Sequence, residues 1–131
     1  MIIKIRKYNA ATDLKKLLEV IDAEGEEWAT YLANGNRSRY QLALERSITY
    51  VAYHEDILCG FSRSISDFEF YIWVIDLLVH GTYRGHSIGK KLLDCIAVDS
   101  PDQEIYVMSD VDEFYQKAGY SKAGSIFKID E

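Results

Sequence analysis

Proline and cysteine are both scarce in this chain. There is one proline, and the two cysteines, Cys59 and Cys95, lie in apolar surroundings far apart in the sequence. That spacing is unlike the spacing of metal ligands or of a disulfide framework, so we expect buried, reduced thiols. The three histidines complete no ligand set either. The sequence therefore predicts no metal site.

Long uncharged apolar runs are also missing. A transmembrane helix needs about 20 consecutive apolar residues, and no stretch of the sequence approaches that length. The first residues, Met1–Lys7, lack the continuous apolar stretch of a signal peptide. We therefore expect no membrane partner and a cytoplasmic protein.

Positive charge is in deficit. Fifteen lysines and arginines stand against 21 aspartates and glutamates, a formal net charge of −6. A general nucleic-acid-binding surface needs the opposite balance, so we expect no nucleic-acid partner. The acidic balance leans weakly toward a cationic substrate.

The length and composition are those of one ordinary domain. The chain has 131 residues, of which 48% are hydrophobic and 27% charged. These values suit a globular protein that builds its own core. We therefore expect residues 1–131 to form a single domain.

The most informative stretch is Leu77–Leu93, LLVHGTYRGHSIGKKLL. An apolar run gives way to a glycine-punctuated basic turn and then to a helical pattern, which predicts a strand, a loop and a helix. The loop, Arg84–Gly89, lies where the first turn of a helix leaves N–H groups without partners. Such a terminus favours a phosphate or pyrophosphate.

The same residues carry a family resemblance. YRGHSIGKKLL closely resembles the acyl-CoA pyrophosphate loop of the GNAT N-acetyltransferase superfamily, whose pattern is Gln/Arg-x-x-Gly-x-Gly/Ala. Arg84 and Gly89 fit this pattern, and Ser87 replaces the middle glycine. A later segment, Phe114–Tyr120, is similar to the family's Phe-Tyr-x-x-x-Gly-Phe element, with Tyr120 in place of the last phenylalanine.

The resemblance implies a fold and a cosubstrate. The implied fold is α/β (α+β), a GNAT-like single domain whose mixed central sheet is flanked by helices and splayed at the acyl-CoA site. The implied cosubstrate is acetyl-CoA. Its pantetheine arm would meet the backbone of Leu78 and Val79, and no metal is implied. Its pyrophosphate would meet Arg84, Gly85, His86, Ser87, Ile88 and Gly89.

The resemblance also implies an activity and its chemistry. The activity would be direct transfer of an acetyl group to a primary amine of a small molecule or peptide. Tyr115 occupies the position of the acid that protonates the departing thiolate, although it could simply pack with Phe114. Asp76, inside an apolar strand, is the candidate to take the amine's proton or anchor its charge, since burying an unpaired carboxylate is costly.

Several alternatives stay open at this stage. Asp76 could instead be a structural carboxylate, with its hydrogen bonds made, at a strand irregularity. A chain of water molecules could then act as the base. The whole chain could be a non-catalytic acyl-CoA-binding regulatory module. An unrelated nucleotide binder would use the same loop physics, but the chain lacks both the Gly-x-x-x-x-Gly-Lys-Ser/Thr and the Gly-x-Gly-x-x-Gly patterns. A homodimer is possible if the last strand leaves a free edge.

Helical signals occur in four places. Apolar residues of the stretch 14–21 recur at helical spacing, with Thr12 as the expected N-cap. Ser38 has capping-box spacing to the glutamine three residues on, which predicts a second helix over 39–46. A third helix follows the basic loop, and Ser109 is the expected cap of the last one.

Strand patterns fill the rest of the chain, in the order β-α-α-β-β-β-α-β-α-β. The second and third strands form a hairpin around His54–Asp56. The fourth is nearly all apolar, so we expect it to be central and covered on both faces. The predicted strands are 2–5, 48–53, 57–61, 68–79, 105–108 and 125–129.

Overall fold

The computed structural model of the chain describes residues 1–130, which form five strands and four α-helices. The strands are β1 (Lys4–Lys7), β2 (Ile48–His54), β3 (Ile57–Ser66), β4 (Tyr71–Val79) and β5 (Glu104–Val107). The helices are α1 (Ala10–Glu24), α2 (Asn36–Arg46), α3 (Ile88–Asp99) and α4 (Asp112–Lys117). Short 3₁₀ turns occupy Glu26–Tyr31 and Gly81–Tyr83. None of the helices within 1–130 combines the length and apolarity needed to cross a bilayer.

The strands form one sheet in the order β1-β2-β3-β4-β5. Neighbours are antiparallel except β4 and β5, which are parallel. The β4–β5 ladder ends at Val74 opposite Val107, whereas β4 itself continues to Val79. The two strands therefore separate beyond Val74, which confirms the predicted mixed sheet with an opening between neighbouring strands.

A β-bulge in β4 determines what faces each side of the sheet. Ser64 pairs with Val74 and Arg63 pairs with Asp76, so Ile75 is the extra residue. Val74 packs into the core beneath α3. Because of the extra residue, Asp76 turns to the opposite face, where α1 and α2 lie.

Two hydrophobic cores hold the helices on the sheet. On one face, Leu17 and Ile21 of α1 pack with Leu44 of α2 and with Phe61. On the other face, α3 buries its apolar side against β2, β3 and β4. The predicted helical face of the stretch 14–21 is confirmed, and the α/β (α+β) class is confirmed with it.

Three predicted helix caps are wrong. α1 begins at Ala10, because the Asn9 side chain accepts from the Ala11 N–H at 3.0 Å, so Asn9 and not Thr12 is the N-cap. α2 begins at Asn36 after Gly35, with no capping side chain. The predicted Ser38 capping box is therefore wrong. Ser109 also fails to cap α4, and accepts instead from the Val111 N–H.

Two strand predictions also need correction. β4 begins at Tyr71 and not at residue 68, because the Asp67 carboxylate accepts N–H groups of the following residues and holds a turn there. Burial alternates along β4, so it is not covered on both faces. The stretch 125–129 forms no strand and pairs with none of the five strands.

A buried carboxylate ties α1 to the sheet. Asp13 receives both terminal nitrogens of Arg6, at 2.7 and 2.6 Å, the hydroxyl of Tyr53 at 2.6 Å and the N–H of Asn9 at 2.8 Å. Burial alone would raise the pKa of Asp13, but these hydrogen bonds outweigh it and hold that pKa at about 2. The charged form of Asp13 therefore stabilises the fold.

We expect Asp13→Asn to lower the free energy of unfolding by about 2 kcal/mol at pH 7, in line with a pKa held that far below its usual value of 3.8. Because the folded pKa is the lower one, the contribution is complete above about pH 4 and is lost as the pH falls towards 2. Urea unfolding at pH values from 7 to 2 should show that the difference in free energy of unfolding between the wild type and Asp13→Asn becomes smaller. The control is Asp22→Asn, whose partner Arg37 lies 3.7 Å away at an exposed site. An equal loss at pH 7 and pH 2 would contradict the role given to the charge.

Candidate active site

The loop between β4 and α3 leaves a run of backbone N–H groups unpaired. Gly85 has φ +88° and Ser87 has φ +61°, and α3 begins directly afterwards at Ile88. Within residues 1–130, no acceptor meets the N–H groups from Gly85 to Lys90. A run of free amides at a helix N-terminus is an anion site.

Ser87 occupies a backbone position that favours glycine. Its φ and ψ of 61° and 23° lie in the left-handed region, and its side chain caps no N–H group of α3. In this conformation a serine lowers the stability of the folded state, whereas a glycine would not. The replacement is nevertheless accommodated, and the Ser87 N–H stays free to bind.

The Arg84 side chain is held away from the free amides. Its Nε donates to the Val79 carbonyl at 3.1 Å, and its Nη2 donates to Glu24 Oε2 at 2.5 Å. These contacts fasten the loop to the end of β4 and the end of α1. Nothing in the local pattern predicts Glu24 as a partner of Arg84, because 60 residues separate the two.

Gly89 allows α4 to approach α3. A Cβ atom on Gly89 would lie 3.0 Å from Phe114 Cζ and 3.8 Å from a methyl group of Leu77. The glycine is thus required by close packing, while its N–H remains free. This contact places the Phe114 ring against Gly89, the last residue of the loop.

The remaining predicted cosubstrate residues differ in exposure. Ile88 and Leu78 are buried, while His86 is exposed. Leu78 and Val79 lie past the last β4–β5 pair, so part of their backbone faces the opening between the strands. This is the position in which an extended ligand chain can bond to β4 as a strand would.

Tyr115 lines a cavity of about 1,010 Å³ at the outer side of β5. Its ring meets Phe114 edge-on at 5.0 Å between centroids. Burial, with the nearby charge of Asp110 and the phenol of Tyr120, raises the pKa of Tyr115 to about 12. The phenol is therefore a hydrogen donor at any physiological pH.

Asp76 is buried and fully paired. It accepts from Arg63 Nε at 2.6 Å, from the Tyr40 hydroxyl at 2.7 Å and from the Tyr31 hydroxyl at 2.8 Å. The Tyr31 and Tyr40 rings stack at 4.2 Å between centroids. Burial raises the pKa of both phenols, and the Asp76 charge adds to it. We call Asp76, Arg63, Tyr31 and Tyr40 the carboxylate cluster.

Three members of the carboxylate cluster were not predicted as site residues. Arg63 lies two residues past the strand predicted over 57–61, and only the extension of β3 to Ser66 brings it beside Asp76. The sequence pattern around Tyr31 and Tyr40 indicated only that these side chains are buried. Within the described chain, 1–130, no group of three or more potential metal ligands comes together.

Comparison with known proteins identifies the class. Residues 45–122 match the model of the GNAT acetyltransferase domain. That match covers more than half of the sequence, so the chain belongs to the GNAT acetyltransferase family. It is accordingly an acyltransferase, and the family's cosubstrate is acetyl-CoA. No curated protein matches the chain in sequence.

Solved structures agree on the fold. A GNAT-family acetyltransferase from Streptococcus pneumoniae is 22% identical with a TM-score of 0.75, over 99% of this chain and 100% of that one. An aminoglycoside acetyltransferase from an uncultured soil metagenomic sample is 19% identical with a TM-score of 0.77, over 100% and 99%. A ribosomal-protein-alanine N-acetyltransferase from Brucella melitensis is 16% identical with a TM-score of 0.75, over the whole of both chains. At these identities the likeness concerns the fold alone.

Proposed function

We propose that this single domain transfers an acetyl group from acetyl-CoA directly to a primary amine of a small molecule or peptide. The observation that carries this proposal is the run of free amides from Gly85 to Lys90, at the mouth of the opening between β4 and β5. Family membership supports acetyl transfer. The amine acceptor is the proposed part.

The cosubstrate binds along this opening. The pyrophosphate takes the amides of Gly85, His86, Ser87, Ile88 and Gly89, and the pantetheine arm bonds to the backbone of Leu78 and Val79. Arg84 contributes its positive charge beside the loop while its guanidinium stays on Glu24. The opposite charges of Arg84 and Glu24 partly cancel, so the backbone N–H groups provide most of the binding to the pyrophosphate.

Acetyl transfer needs a neutral amine, whose nitrogen attacks the acetyl carbon as the carbon–sulfur bond breaks. The electron pair of that bond leaves on sulfur, and the Tyr115 hydroxyl donates a hydrogen bond there. A simple thiol has a pKa near 8.5, so complete transfer from a phenol at about 12 is uphill by about 5 kcal/mol. Tyr115 therefore acts as a hydrogen-bond donor while charge develops on sulfur and keeps its proton, and the departing thiolate takes a proton from water.

Asp76 acts on the acceptor side through the carboxylate cluster. Its two oxygens already accept three hydrogen bonds, from Tyr31, Tyr40 and Arg63, so neither oxygen is left without a partner to take the amine's proton. We assign the amine's proton to water. Asp76 is then a positioning residue that holds Tyr31, and with it the turn Glu26–Tyr31, against the β4 bulge.

The runner-up function is an acyl-CoA-binding regulatory module without turnover. Ser87 in place of glycine and the pairing of Arg84 with Glu24 favour it, since both reduce what the loop offers a pyrophosphate. The two functions share cosubstrate binding and differ in catalysis. Release of free CoA in the presence of a panel of primary amines distinguishes them.

Saturating CoA should raise the melting temperature by several degrees. A ligand at a hundredfold excess over its dissociation constant, binding only the folded state, stabilises by about 2.7 kcal/mol. The control ligand is pantetheine, which lacks the pyrophosphate and should give a much smaller shift. An unchanged melting curve with CoA, together with no heat by calorimetry, would rule out both functions.

Tyr115→Phe should lower kcat by about a hundredfold and leave the CoA dissociation constant unchanged, because a hydrogen-bond donor positioned at developing charge contributes on that scale. Initial rates with an accepted amine and calorimetry with CoA measure the two quantities. Tyr120→Phe is the matched control, since Tyr120 lines the same cavity and its N–H bonds to the Tyr115 carbonyl through the backbone alone. Wild-type rates in both variants would remove Tyr115 from the chemistry.

Asp76→Asn should raise KM for the amine several-fold and leave the shape of the kcat–pH profile unchanged, because the side chain positions other groups. If Asp76 were the base, kcat would fall most at low pH instead. Tyr31→Phe is the companion variant, since it removes one donor of the carboxylate cluster and should reproduce part of the KM increase. Circular dichroism and melting curves check that both variants fold.

A further inference from the structure

A strip of aromatic side chains runs from the β3–β4 turn across β4 to β5. Burial alternates along β4, and Tyr71 and Trp73 are its exposed residues, at 41% and 38%. The Trp73 ring stacks on Tyr106 of β5 at 5.0 Å between centroids, and the Tyr71 ring lies 5.9 Å from Tyr106. Phe70 continues the strip at 6.1 Å from Tyr71. We call Phe68, Phe70, Tyr71, Trp73 and Tyr106 the aromatic strip.

Hydrogen bonds fix the turn at the end of the aromatic strip. The Asp67 carboxylate accepts the N–H groups of residues 69–71 at 2.8–3.0 Å. Ser66 Oγ accepts the Phe68 N–H at 2.8 Å. Phe68 has φ +66°, which is an unfavourable conformation for a bulky residue. The turn nevertheless holds the Phe68 and Phe70 side chains 81% and 68% exposed to solvent.

The exposed turn fits a macromolecular partner better than a small molecule. Small molecules bind in concave pockets that cover most of their surface, but Phe68 and Phe70 lie outside the cavity of Tyr115. Aromatic side chains are enriched at protein interfaces, where a few anchors carry most of the binding energy. A contiguous exposed apolar surface of this kind marks an interaction site. The aromatic strip thus has the chemistry of a polypeptide-binding surface.

The charge around the aromatic strip indicates the kind of polypeptide. The strip and its surroundings belong to residues 64–79 and 92–116, and neither range contains a lysine or an arginine. Exposed carboxylates lie within or beside the strip, at Asp67, Glu69 and Glu104. Glu104 accepts the Tyr106 hydroxyl at 3.0 Å. Complementary charge steers association and selects between partners, so this surface favours a cationic segment.

We propose that the acceptor is a lysine-rich segment of another polypeptide, which docks along the aromatic strip and places one lysine amine in the cavity of Tyr115. This inference rests on the proposed acetyl transfer and names its acceptor class. Tyr71, Trp73 and Tyr106 line the same cavity as Tyr115, so the docking surface and the cavity are continuous. The lysine amine gains the acetyl group, CoA leaves as the thiol, and water carries the proton from one to the other.

Peptide binding in the absence of acetyl-CoA tests the docking surface. The probe is a fluorescently labelled peptide of alternating lysine and leucine residues, and its binding is measured by anisotropy. The double variant Phe68→Ser with Phe70→Ser should raise the peptide's dissociation constant by about tenfold, since aromatic anchors contribute on that scale. The matched control is Ile57→Ser, because Ile57 is 52% exposed at the opposite end of β3. A peptide with glutamate in place of lysine should not bind.

Equal dissociation constants in the wild type and the double variant, or no binding of the lysine peptide by the wild type, would overturn the proposal. Melting curves check that the double variant folds. Light scattering checks for a second copy on the aromatic strip. A wild-type dimer that the double variant dissociates would show that the strip is an interface between copies, which would also overturn the proposal.

Initial rates with acetyl-CoA separate this inference from the proposed function. The double variant should raise KM for the lysine peptide about tenfold and leave kcat unchanged, without an equal rise in KM for butylamine, which is too small to reach the turn. Acetylation of butylamine with the same peptide KM in both proteins would overturn the docking inference alone. Peptide binding without acetylation of either amine would overturn the proposed function and retain the aromatic strip as a docking surface.

Discussion

The separation of β4 from β5 is the constraint on which the rest of the structure depends. Two parallel strands that stay paired along their whole length leave no room for a ligand between them. Here the ladder ends at Val74, and the extra residue Ile75 turns the rest of β4 relative to its neighbours. The free amides before α3 follow the end of β4, and the bulge that turns Asp76 towards α1 and α2 lies where the β4–β5 ladder stops.

The two faces of the sheet differ in their buried charges. On the α1–α2 face, two buried carboxylates, Asp13 and Asp76, each receive an arginine and a tyrosine hydroxyl. Neither carboxylate is isolated, because an uncompensated charge would not tolerate such burial. On the α3 face the core is mainly apolar, and the free polar groups at its edge are the backbone amides before α3. The two faces of the sheet thus differ in chemistry.

Local patterns in the sequence were enough for the parts of the fold that local interactions determine. The loop 84–89, the helix after it and the hairpin around His54–Asp56 follow from spacing and turn chemistry. The Asn9 cap was missed because Thr12 offered the same chemistry three residues on. The strand 125–129 was wrong for another reason, since its pattern was sound but a strand needs a neighbour.

The long-range partners could not be read from the sequence. The side chains that meet Asp76 come from positions 13, 36 and 45 residues away along the chain. Nothing in their spacing indicates one cluster, because the bulge at Ile75 decides which way Asp76 faces. The motif predicts that Arg84 lies at the loop, but it does not predict that the Arg84 guanidinium bonds to Glu24.

That pairing with Glu24 has a geometric consequence. Glu24 is the last residue of α1, and the turn that follows it carries Tyr31 to Asp76. One short, covalently continuous segment, residues 24–31, therefore joins the loop before α3 at one end to the carboxylate cluster at the other. The same eight residues anchor both regions.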